Sequence, residues 1–502
     1  MSNLSELLPS GGGQNVGSFE ASGTIANGKA VGLRSDGKVE AIATTTDPIQ
    51  GTTSLWQAGT GFNYCRALTY IGNNQVLLFY PDAQNSYYGT VVLGNVSGNT
   101  VTWDLQSPPV LFESNTLKYN DDYVMDSVLH EALNLTVCAY IVNNSSDAFM
   151  RAFSVSGNTI TVGAQHYFNG AGVQGISICY GEISGNARIW VNYIDRINSV
   201  DYGVADCITV NNINSISNGS ASSYKTSTTS QPDIAFNKLQ NIPILTYRDL
   251  SLGNNPNGAA RCITNGISVP PQFGSQNLVV NGNTTQMKII YDPNFQQTII
   301  AYANNTSGNA AINKVTYVNT NSLTIGTEAV FGNAGNSSSI DLTFNASKTI
   351  GTGQGMVVFN DATGGNKGKF VLYSDNGSFV PTLGTITVFE NNVSYYMEVV
   401  WGGDNNYVIT YMTAPSGGAW EGKTAGFNFT NSGSFIGVSA QAISNGATGN
   451  VDMLGGINSQ QTSLTIRSNY YLQNNGDINT TNTGTFIGQA VNATTLNLKD
   501  AP

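Results

Sequence analysis

Short runs of β-branched and aliphatic residues, each closed by an aromatic residue, recur along the chain. Successive copies are about 55 residues apart, and a second strand-like run precedes each copy by about ten residues. A turn rich in Gly and Asn separates the two runs, and such turns supply the backbone conformations that hairpins need. The recurrence predicts a repeated supersecondary unit. The closing aromatic residues are Tyr80, Tyr140, Tyr193, Tyr247, Tyr302, Phe359 and Tyr411.

Each copy continues into a polar loop and a third strand, and several copies add a fourth strand after a Ser-Gly-Asn turn. Four short antiparallel strands cannot bury two faces alone, but units packed in a ring can. Seven such units predict an all-β chain with a seven-bladed β-propeller. The repeated aromatic residue is then expected to pack between blades.

The seventh unit has only three evident strands, at Tyr395–Trp401, Tyr407–Met412 and Lys423–Phe429. A strand-like segment, Thr52–Trp56, precedes the first unit and resembles the fourth strands of other units. We therefore expect Thr52–Trp56 to complete the seventh blade and to close the ring.

Ring closure predicts that the segments outside the propeller form one small module together. Residues 16–48 and 434–502 contain short strands separated by Asn-Gly and Ser-Asp-Gly turns. The predicted organisation is a seven-bladed propeller at 49–433, inserted into a small β-sandwich or barrel-like module of both termini. Residues 1–15 are expected to be a flexible arm or a docking peptide.

The composition narrows the function classes. Only 10% of the residues are charged, the net charge is -11, and 56 residues are Gly. A nucleic-acid partner is not expected at this charge. No apolar run approaches the ~20 residues that cross a bilayer, so membrane insertion is not expected either. The five cysteines have no zinc spacing, and the N-terminus has no secretory signal, which predicts buried thiols in a protein made in a reducing cytoplasm.

Catalytic chemistry is sparse. There are two histidines, His130 and His166, and no nucleophile-elbow motif lies near either. A glycoside hydrolase remains an alternative, because Glu131 with Asp126, or Glu398, could supply the two carboxyl groups that such enzymes use. Glu182 is another acidic residue near a first strand. No enzyme activity, metal or cofactor is predicted.

Binding candidates follow the repeated aromatic residue. Two residues after it, five units carry Asp or Asn, and long polar loops begin there. These side chains either cap their own loops as Asx turns or form a ring of oxygen ligands for a cation such as Ca²⁺. Tyrosines in the same loops are candidates for stacking on sugars. The binding candidates are Asp82, Tyr87, Tyr88, Asp195, Tyr202, Asp249 and Asp361.

The two ends of the chain carry a family resemblance. SNLSELLPSGGGQNV with ASGTIANGKAVGLRSDGKVEAI, and FIGVSAQAISNGATGNVDMLGG with GQAVNATTLNLK, resemble virion structural and tail-fibre-like proteins of marine tailed phages, including cyanophages. The first pattern is also faintly similar to small capsid decoration proteins. The family supplies no catalytic residues.

The resemblance implies a phage virion structural protein, a particle-surface appendage made in the host cytoplasm and released by lysis. Its implied partners are other virion proteins and a host-surface glycan, and a homo-oligomer is open by analogy. Two alternatives stay open. One is a capsid decoration or head fibre protein, and the other is a propeller that binds or hydrolyses glycans without belonging to a virion.

Overall fold

The chain is all-β, with two single-turn 3-10 helices at Ala83–Asn85 and Leu250–Leu252 and no α-helix in the described residues. None of the helices in this part of the chain is long and apolar enough to span a bilayer. The computed structural model describes residues 15–33, 37–42, 44–57, 66–103, 109–119, 123–170, 172–252, 256–264, 270–319, 322–332, 339–346, 354–361, 364–374, 380–403, 406–414, 419–430, 435–473, 476–482 and 485–499. The predicted arm at 1–15 lies outside these residues except for Asn15.

The chain divides into two compact units. The terminal unit comprises the described residues within Met1–Gly51, Ser97–Asn99 and Phe427–Pro502, and the repeat unit comprises those within Thr52–Val96 and Thr100–Gly426. Strands are numbered in chain order in both.

The terminal unit contains two five-stranded antiparallel sheets. In the first, strands from the N-terminal segment pair with strands from the C-terminal segment, in the order β1-β38-β37-β2-β3. These strands are β1 (Val16–Glu20), β2 (Ala30–Leu33), β3 (Val39–Ala41), β37 (Phe435–Ser439) and β38 (Thr448–Met453). The second sheet has the order β39-β43-β42-β40-β41. Its strands are β39 (Ile457–Asn458), β40 (Asn469–Leu472), β41 (Ile478–Asn479), β42 (Thr485–Ala490) and β43 (Leu496–Leu498).

One buried cluster joins the two sheets of the terminal unit. It contains Ala30 and Val438 from the first sheet and Leu472, Ile487 and Leu496 from the second. Because residues at both ends of the sequence supply this core, neither end can bury its apolar face without the other.

The repeat unit is built from meanders, each made of three consecutive antiparallel strands. The first strands are β6 (Ala67–Gly72), β11 (Met125–His130), β16 (Val173–Ile183), β21 (Thr229–Asn237), β25 (Thr284–Asp292), β30 (Ile340–Phe344) and β34 (Thr387–Trp401). The second strands are β7 (Gln75–Asp82), β12 (Leu135–Ile141), β17 (Asn186–Ile197), β22 (Ile242–Asp249), β26 (Gln297–Asn304), β31 (Gln354–Asp361) and β35 (Asn406–Ala414). The third strands are β8 (Tyr88–Ser97), β13 (Ala148–Ser156), β18 (Val200–Asn212), β23 (Asn257–Cys262), β27 (Asn309–Asn319), β32 (Lys367–Ser374) and β36 (Glu421–Thr430).

In six of the seven meanders the fourth position, next to the third strand, is shared by two short strands where the sequence predicted a single strand; the fourth meander has β24 alone there among the described residues. A hairpin strand pairs with the end of the third strand, and a returning strand pairs with its beginning. The first residues of β34 play the returning role for β32. The other strands at this position are β4 (Thr44–Gln50), β5 (Ser54–Gln57), β9 (Thr100–Trp103), β10 (Val110–Thr116), β14 (Thr159–Val162), β15 (His166–Asn169), β19 (Ser215–Ser217), β20 (Ser222–Lys225), β24 (Asn277–Val280), β28 (Ser322–Ile325), β29 (Ala329–Gly332) and β33 (Thr382–Leu383).

A β-bulge recurs in the returning strands. One extra residue there faces a small residue at the start of the third strand, and the side chain of the extra residue is buried. The extra residue covers the glycine directly at Gly89, Gly203, Gly368 and Gly422, whereas Gly258 is covered by Val280, the residue after the bulged Val279. A Cβ on Gly203, for example, would lie 2.3 Å from the ring of Tyr224, so the close packing requires glycine there. The bulged residues are Phe112, Phe168, Tyr224, Val279, Phe331, Phe389 and Trp56; the small residues are Gly89, Ala148, Gly203, Gly258, Ala310, Gly368 and Gly422, in the same order.

The seventh bulge joins distant parts of the sequence. Strand β5 pairs with β36, so Trp56 covers Gly422 although 366 positions separate them. The indole Nε1 of Trp56 donates a 3.1 Å hydrogen bond to the carbonyl oxygen of Lys423. The pairing confirms that the segment before the first meander completes the last one, with bounds of Ser54–Gln57.

The cores of the repeat unit lie between adjacent meanders. All seven aromatic residues that close the second strands are buried, as the sequence predicted. The first strands contact one another in chain order, and β34 in turn contacts β6.

Candidate functional site

The register of the sheets assigns equivalent residues to the seven first strands. The reference position is the residue paired with the aromatic residue of the second strand, such as Met125 opposite Tyr140 or Met287 opposite Tyr302. Positions one, three and four residues later form three successive layers along these strands. Each layer takes one residue from every meander.

The outermost of these layers is aromatic in six of its seven members and lines a concave space that we call the aromatic well. The space measures about 580 Å³. The rings of Tyr70 and Trp401 meet edge to face, with centroids 4.9 Å apart. The seven members are Tyr70, Leu129, Tyr180, Phe236, Tyr291, Phe344 and Trp401.

The next layer inward forms the floor of the aromatic well and carries small or aliphatic side chains with few hydroxyls. Its members are Thr69, Val128, Cys179, Ala235, Ile290, Thr343 and Val400. A mostly apolar concavity with a few polar groups is the usual form of a small-ligand site.

The rim of the well is polar. The carboxylate of Glu131 and the ammonium of Lys238 are 2.6 Å apart, and both side chains are about half exposed. The hydroxyls of Tyr180 and Tyr291 hydrogen-bond to the backbone of Ala132 and Leu239, which holds these rings in place. The well therefore combines fixed aromatic faces with a polar edge.

Below the floor lies a layer that we call the charge layer, with Asp126, Asp233, Lys288, Asp341 and Glu398 among its members. Three of its carboxylates accept hydrogen bonds from backbone N–H groups of the following first strand. Asp126 accepts from Ile178 at 2.8 Å, Asp233 from Ile289 at 2.7 Å, and Asp341 from Val399 at 2.7 Å. First strands are sheet edges with unpaired N–H groups, so these carboxylates satisfy donors that the sheets leave open.

Burial perturbs the ionisation of the charge layer. It raises the pKa of Asp126 to about 7, against a lowering effect of Lys288 and with a further rise from Asp233. Burial, and then the charge of Glu398, raise the pKa of Asp341 well above its ordinary value. Burial alone would lower the pKa of Lys288, but the carboxylates of Glu398, Asp233 and Asp341 raise it well above the ordinary value. One ammonium thus serves several carboxyl groups.

The carboxyl groups considered for glycoside hydrolysis do not form a suitably spaced and accessible pair. Glu131 lies on the exposed rim, whereas Asp126 lies in the charge layer five positions earlier in the chain, about 16 Å away along an extended strand. This exceeds the ~5–9.5 Å between the carboxyl groups of such enzymes. Glu398 and Asp341 do lie close together, but the cavity beside Glu398 measures about 10 Å³, which is room for about one water. Glu182 is exposed on β16.

The acidic residues predicted after the second-strand aromatic cap their own loops in three of four cases. Asp82 accepts from the backbone N–H of Gln84 at 3.0 Å, and Asp361 accepts from Gly364 at 3.1 Å. Asp249 accepts from the N–H of Ser251 at 3.1 Å. The bonds of Asp82 and Asp249 reach two residues on, which is the Asx-turn geometry, and that of Asp361 reaches three residues on. No group of acidic, histidine or cysteine side chains arranged to hold a metal ion occurs among the residues described.

Asp249 has further partners. The ammonium of Lys225 is 2.7 Å from one carboxylate oxygen, and Gln276 donates to the same oxygen at 2.9 Å. Burial alone would raise the pKa of Asp249, but the hydrogen bonds from Lys225, Ser251 and Gln276 outweigh it and lower the pKa to about 2.

Two other predicted residues pair directly across strands. Asp195 lies opposite Tyr202 in the β17–β18 register. Burial raises the pKa of Asp195, and a hydrogen bond from Asn169 lowers it in part. Tyr202 is half-buried and packs on the main hydrophobic cluster.

The remaining predicted tyrosines lie in the loop between β7 and β8. Tyr87 has a left-handed backbone, with φ of 56°, and its ring stacks on Tyr119 at a centroid distance of 3.8 Å. Tyr88 begins β8 opposite Asp82. Whether any of the seven predicted residues binds a ligand stays a prediction.

The aromatic well was missed by sequence reasoning, although its members were visible. They end or nearly end the first strand-like run of each unit, whereas the predicted repeat was defined by the aromatic residue of the second run. The distinguishing signal is that the aromatic residue of the first strand keeps the same register relative to the aromatic residue of the second strand in each unit. That signal needs the strand pairing, because spacing along the chain does not show which positions share a layer.

Both histidines contact neighbouring side chains among the described residues. His130 is buried with its ring 4.8 Å from that of Tyr180, and His166 shares a 2.6 Å hydrogen bond with Asn218. Cys138, Cys179, Cys207 and Cys262 are buried, as predicted, and Cys65 lies outside the described residues.

Comparison with known proteins finds similarity at the level of structure alone. No protein-family model matches the chain, and no curated protein matches it. The leech intramolecular trans-sialidase aligns at a TM-score of 0.38 and 8% identity, over 73% of this chain and 70% of its own. The fucose-specific lectin of Aleuria aurantia aligns at 0.37 and 11%, over 64% and 94%. A protein of unknown function from Dyadobacter fermentans aligns at 0.37 and 10%, over 82% and 99%.

Proposed function

We propose that the chain is a structural protein of a phage virion, a particle-surface appendage whose repeat unit binds a glycan of the host surface. The terminal unit anchors it to other virion proteins. The support for the virion role is the resemblance of the two ends of the sequence to tail-fibre-like proteins of marine phages. A head fibre or capsid decoration protein is the alternative within this class.

We further propose that the seven meanders form a seven-bladed propeller. The support is the cyclic order of contacts among the first strands, with β34 against β6, and the completion of the last meander by Ser54–Gln57. Such closure leaves only short sheet edges and makes opening of the ring costly.

The aromatic well is the observation that carries the binding function. Six fixed aromatic side chains from different meanders surround about 580 Å³, with polar groups at the rim. Tyr and Trp side chains give large contact areas with little loss of rotamer freedom, and their faces suit the apolar face of a sugar ring. We infer binding without turnover, because three carboxylates of the charge layer act as acceptors for backbone N–H groups and the cavity beside Glu398 measures only about 10 Å³.

Binding in the well is tested by calorimetric titration of the purified chain with host-surface glycans. Trp401→Ala is expected to weaken binding at least about tenfold, because it removes a large contact surface at the centre of a site. The matched control is Val388→Ala, an exposed residue at 41% exposure on the same strand. Equal affinity of both variants and the wild type would remove the well from the proposal.

The virion role is tested on purified particles of the phage that encodes the chain. Peptides of this protein, and density for it on the tail or the head shell in an electron-microscopy map, are expected. Particles without the protein would refute the virion role and leave the glycan-binding alternative. A hydrolase screen with Glu398→Gln and Glu131→Gln addresses the enzymatic alternative, and turnover lost in either variant would overturn the proposal of binding alone.

A further inference from the structure

A second cavity lies at the opposite ends of the first strands from the aromatic well. It measures about 240 Å³ and is lined by the third and fourth meanders together with residues just before β11. Its lining is polar and includes Tyr123, Arg196, Asp201, Ser230, Gln231 and Arg248.

Two charged residues of this cavity, Arg196 and Asp201, pair with each other. Arg196 donates to the two carboxylate oxygens of Asp201 from Nε at 2.6 Å and from a terminal nitrogen at 3.0 Å. This bidentate pair fills the acceptors of Asp201 that face the guanidinium. Asp201 therefore neutralises Arg196 and has no such contact with Arg248.

Arg248 has no such partner. Its Nε is buried without a hydrogen-bond acceptor, and none of the ion pairs among the described residues includes it. Burial lowers the pKa of the Arg248 guanidinium, and the nearby Tyr123 phenol raises it in part. Arg248 is half-buried, and a guanidinium that is partly removed from water without a counter-ion is costly. An anion that enters this cavity would therefore be stabilised by pairing with it.

Two neighbouring polar atoms are also unmatched. The Oγ of Ser230, which lies opposite Arg248 in the strand register, and the Oε1 of Gln231 are buried and lack partners. Gln231 has a left-handed backbone, with φ of 51°, at a bulge between Ser230 and Asp233. Its Nε2 donates to the carbonyl oxygen of Thr285 at 2.6 Å, which fixes the amide and leaves Oε1 as the open acceptor.

We propose that this cavity binds a small carboxylate that also carries hydroxyl groups, of the size of one acidic monosaccharide. The carboxylate pairs with the guanidinium of Arg248 and accepts a hydrogen bond from the hydroxyl of Ser230, and a ligand hydroxyl donates to Oε1 of Gln231. The cavity has the space of about eight water molecules at ~30 Å³ each. The site is independent of the aromatic well and does not rest on the proposed virion role.

Calorimetric titration of the full chain with three probes tests the site. Glucuronate is expected to bind saturably, glucose to give no binding, and sulfate to bind more weakly than glucuronate because it has no hydroxyl donor for Gln231. Absence of glucuronate binding overturns the proposal. Sulfate binding as tight as glucuronate, or glucose binding as tight, overturns the assigned ligand chemistry.

Variants locate the binding. Arg248→Gln is expected to weaken glucuronate binding at least about tenfold, since hydrogen bonds to charged groups contribute about 1.5–3 kcal/mol. Arg248→Lys is expected to be intermediate, because it keeps the charge but loses the planar donor pattern. The control Arg188→Gln removes the same charge from the neighbouring strand β17, outside the cavity, and is expected to bind as the wild type does.

The stability of the variants separates a ligand site from a structural role. Without ligand, Arg248→Gln and Ser230→Ala are expected to melt at or above the wild-type temperature, because each removes an unmatched buried group. Ser230→Ala is also expected to weaken glucuronate binding, which keeps the test usable if Arg248→Gln fails to fold. Unchanged glucuronate affinity in both variants, or marked destabilisation of both without ligand, refutes the site.

Discussion

Asp249 illustrates how one carboxylate both shapes a loop and holds a charge in a buried place. It caps the turn at Ser251 and pairs with Lys225, and its residue is 2% exposed. Asn304 occupies the equivalent position of the next unit and caps the N–H of Thr306 at 3.0 Å. An amide side chain is therefore sufficient to cap the turn. The negative charge of Asp249 is needed only for the ion pair with Lys225.

Asp249→Asn is expected to lower the free energy of unfolding by about 2 kcal/mol at pH 7, because the folded pKa of Asp249 is lowered to about 2 from 3.8. A lowered pKa contributes stability above the unfolded value, and that contribution disappears as the pH falls through about 2. The difference between wild type and variant should therefore shrink between pH 4 and pH 2. Denaturant unfolding at several pH values measures it.

A double-mutant cycle with Lys225→Met checks the cause of that loss. If the ion pair is responsible, the two single variants and the double variant lose similar stability. Additive losses would show that Asp249 acts without Lys225.

Asp126 titrates in the opposite sense. Its folded pKa is raised to about 7, so its contribution is fully present below about pH 4 and is lost as the pH rises through about 7. Asp126→Asn should flatten the fall in melting temperature between pH 5 and pH 8, since an amide does not ionise. Asp233, Asp341 and Glu398, whose pKa values burial also raises, keep part of the same slope.

The control for Asp126 is Glu131→Gln, which removes a carboxyl group from the exposed end of the same strand and should leave the slope as it is. Melting curves of the three proteins over this pH range decide between the outcomes. An unchanged slope in Asp126→Asn would contradict the assigned role of this carboxyl group.

At the scale of elements, the recurring bulge explains how a returning strand fixes its register. The extra residue places a large side chain over a glycine or alanine, so a shift of one residue would bring a side chain of the wrong size to that point. In six of the seven meanders an aromatic residue is therefore matched with a small residue, and in the fourth meander the bulged residue is Val279. The same device fixes β5 on β36, where the two strands come from opposite ends of the sequence.

Trp56→Ala is expected to destabilise the repeat unit by about 3–5 kcal/mol, because it leaves a cavity beside Tyr80 and removes the hydrogen bond to Lys423. Leu55→Ala is the matched control, since Leu55 is the preceding residue on the other face of the strand and is 40% exposed. Its cost should stay below about 0.5 kcal/mol. Similar losses in both variants would argue against β5 as the strand that closes the seventh meander.

At the scale of the whole molecule, the low content of charged residues is expected to make the stability of the fold insensitive to ionic strength. Only 10% of the residues are charged, and the exposed pairs, such as Lys238 with Glu131, contribute little. Apart from the unmatched guanidinium of Arg248, the buried charges described above are paired or hydrogen-bonded over distances well below the ~10 Å screening length at 0.1 M salt. Neutral amides and hydroxyls supply most of the remaining polar surface.

The melting temperature is therefore expected to change by less than about 3 °C between 0.05 and 0.5 M NaCl at pH 7. Differential scanning calorimetry measures this. A fall much larger than that would mean that long-range attraction between charges contributes more than the local contacts indicate.

Three of the predicted binding residues differ by one position from residues that line the second cavity. Asp195, Tyr202 and Asp249 were selected, and each stands next to a residue that lines the second cavity, Arg196, Asp201 and Arg248 respectively. Successive side chains of a strand point to opposite faces, so a difference of one position moves a side chain from the cavity to the other face. The pattern indicated the strand ends beside this cavity, but it did not indicate which face of each strand lines the cavity.

The sequence by itself determined the repeat, the strands of each meander, the burial of the second-strand aromatic residues and the return of the N-terminal segment to the last meander. These features depend on local periodicity and turn chemistry, which the chain order carries directly. The tertiary structure alone decided the layers across the first strands, the aromatic well and the unmatched guanidinium of Arg248. These depend on registers and contacts between residues tens to hundreds of positions apart, and no local pattern in one sequence specifies them.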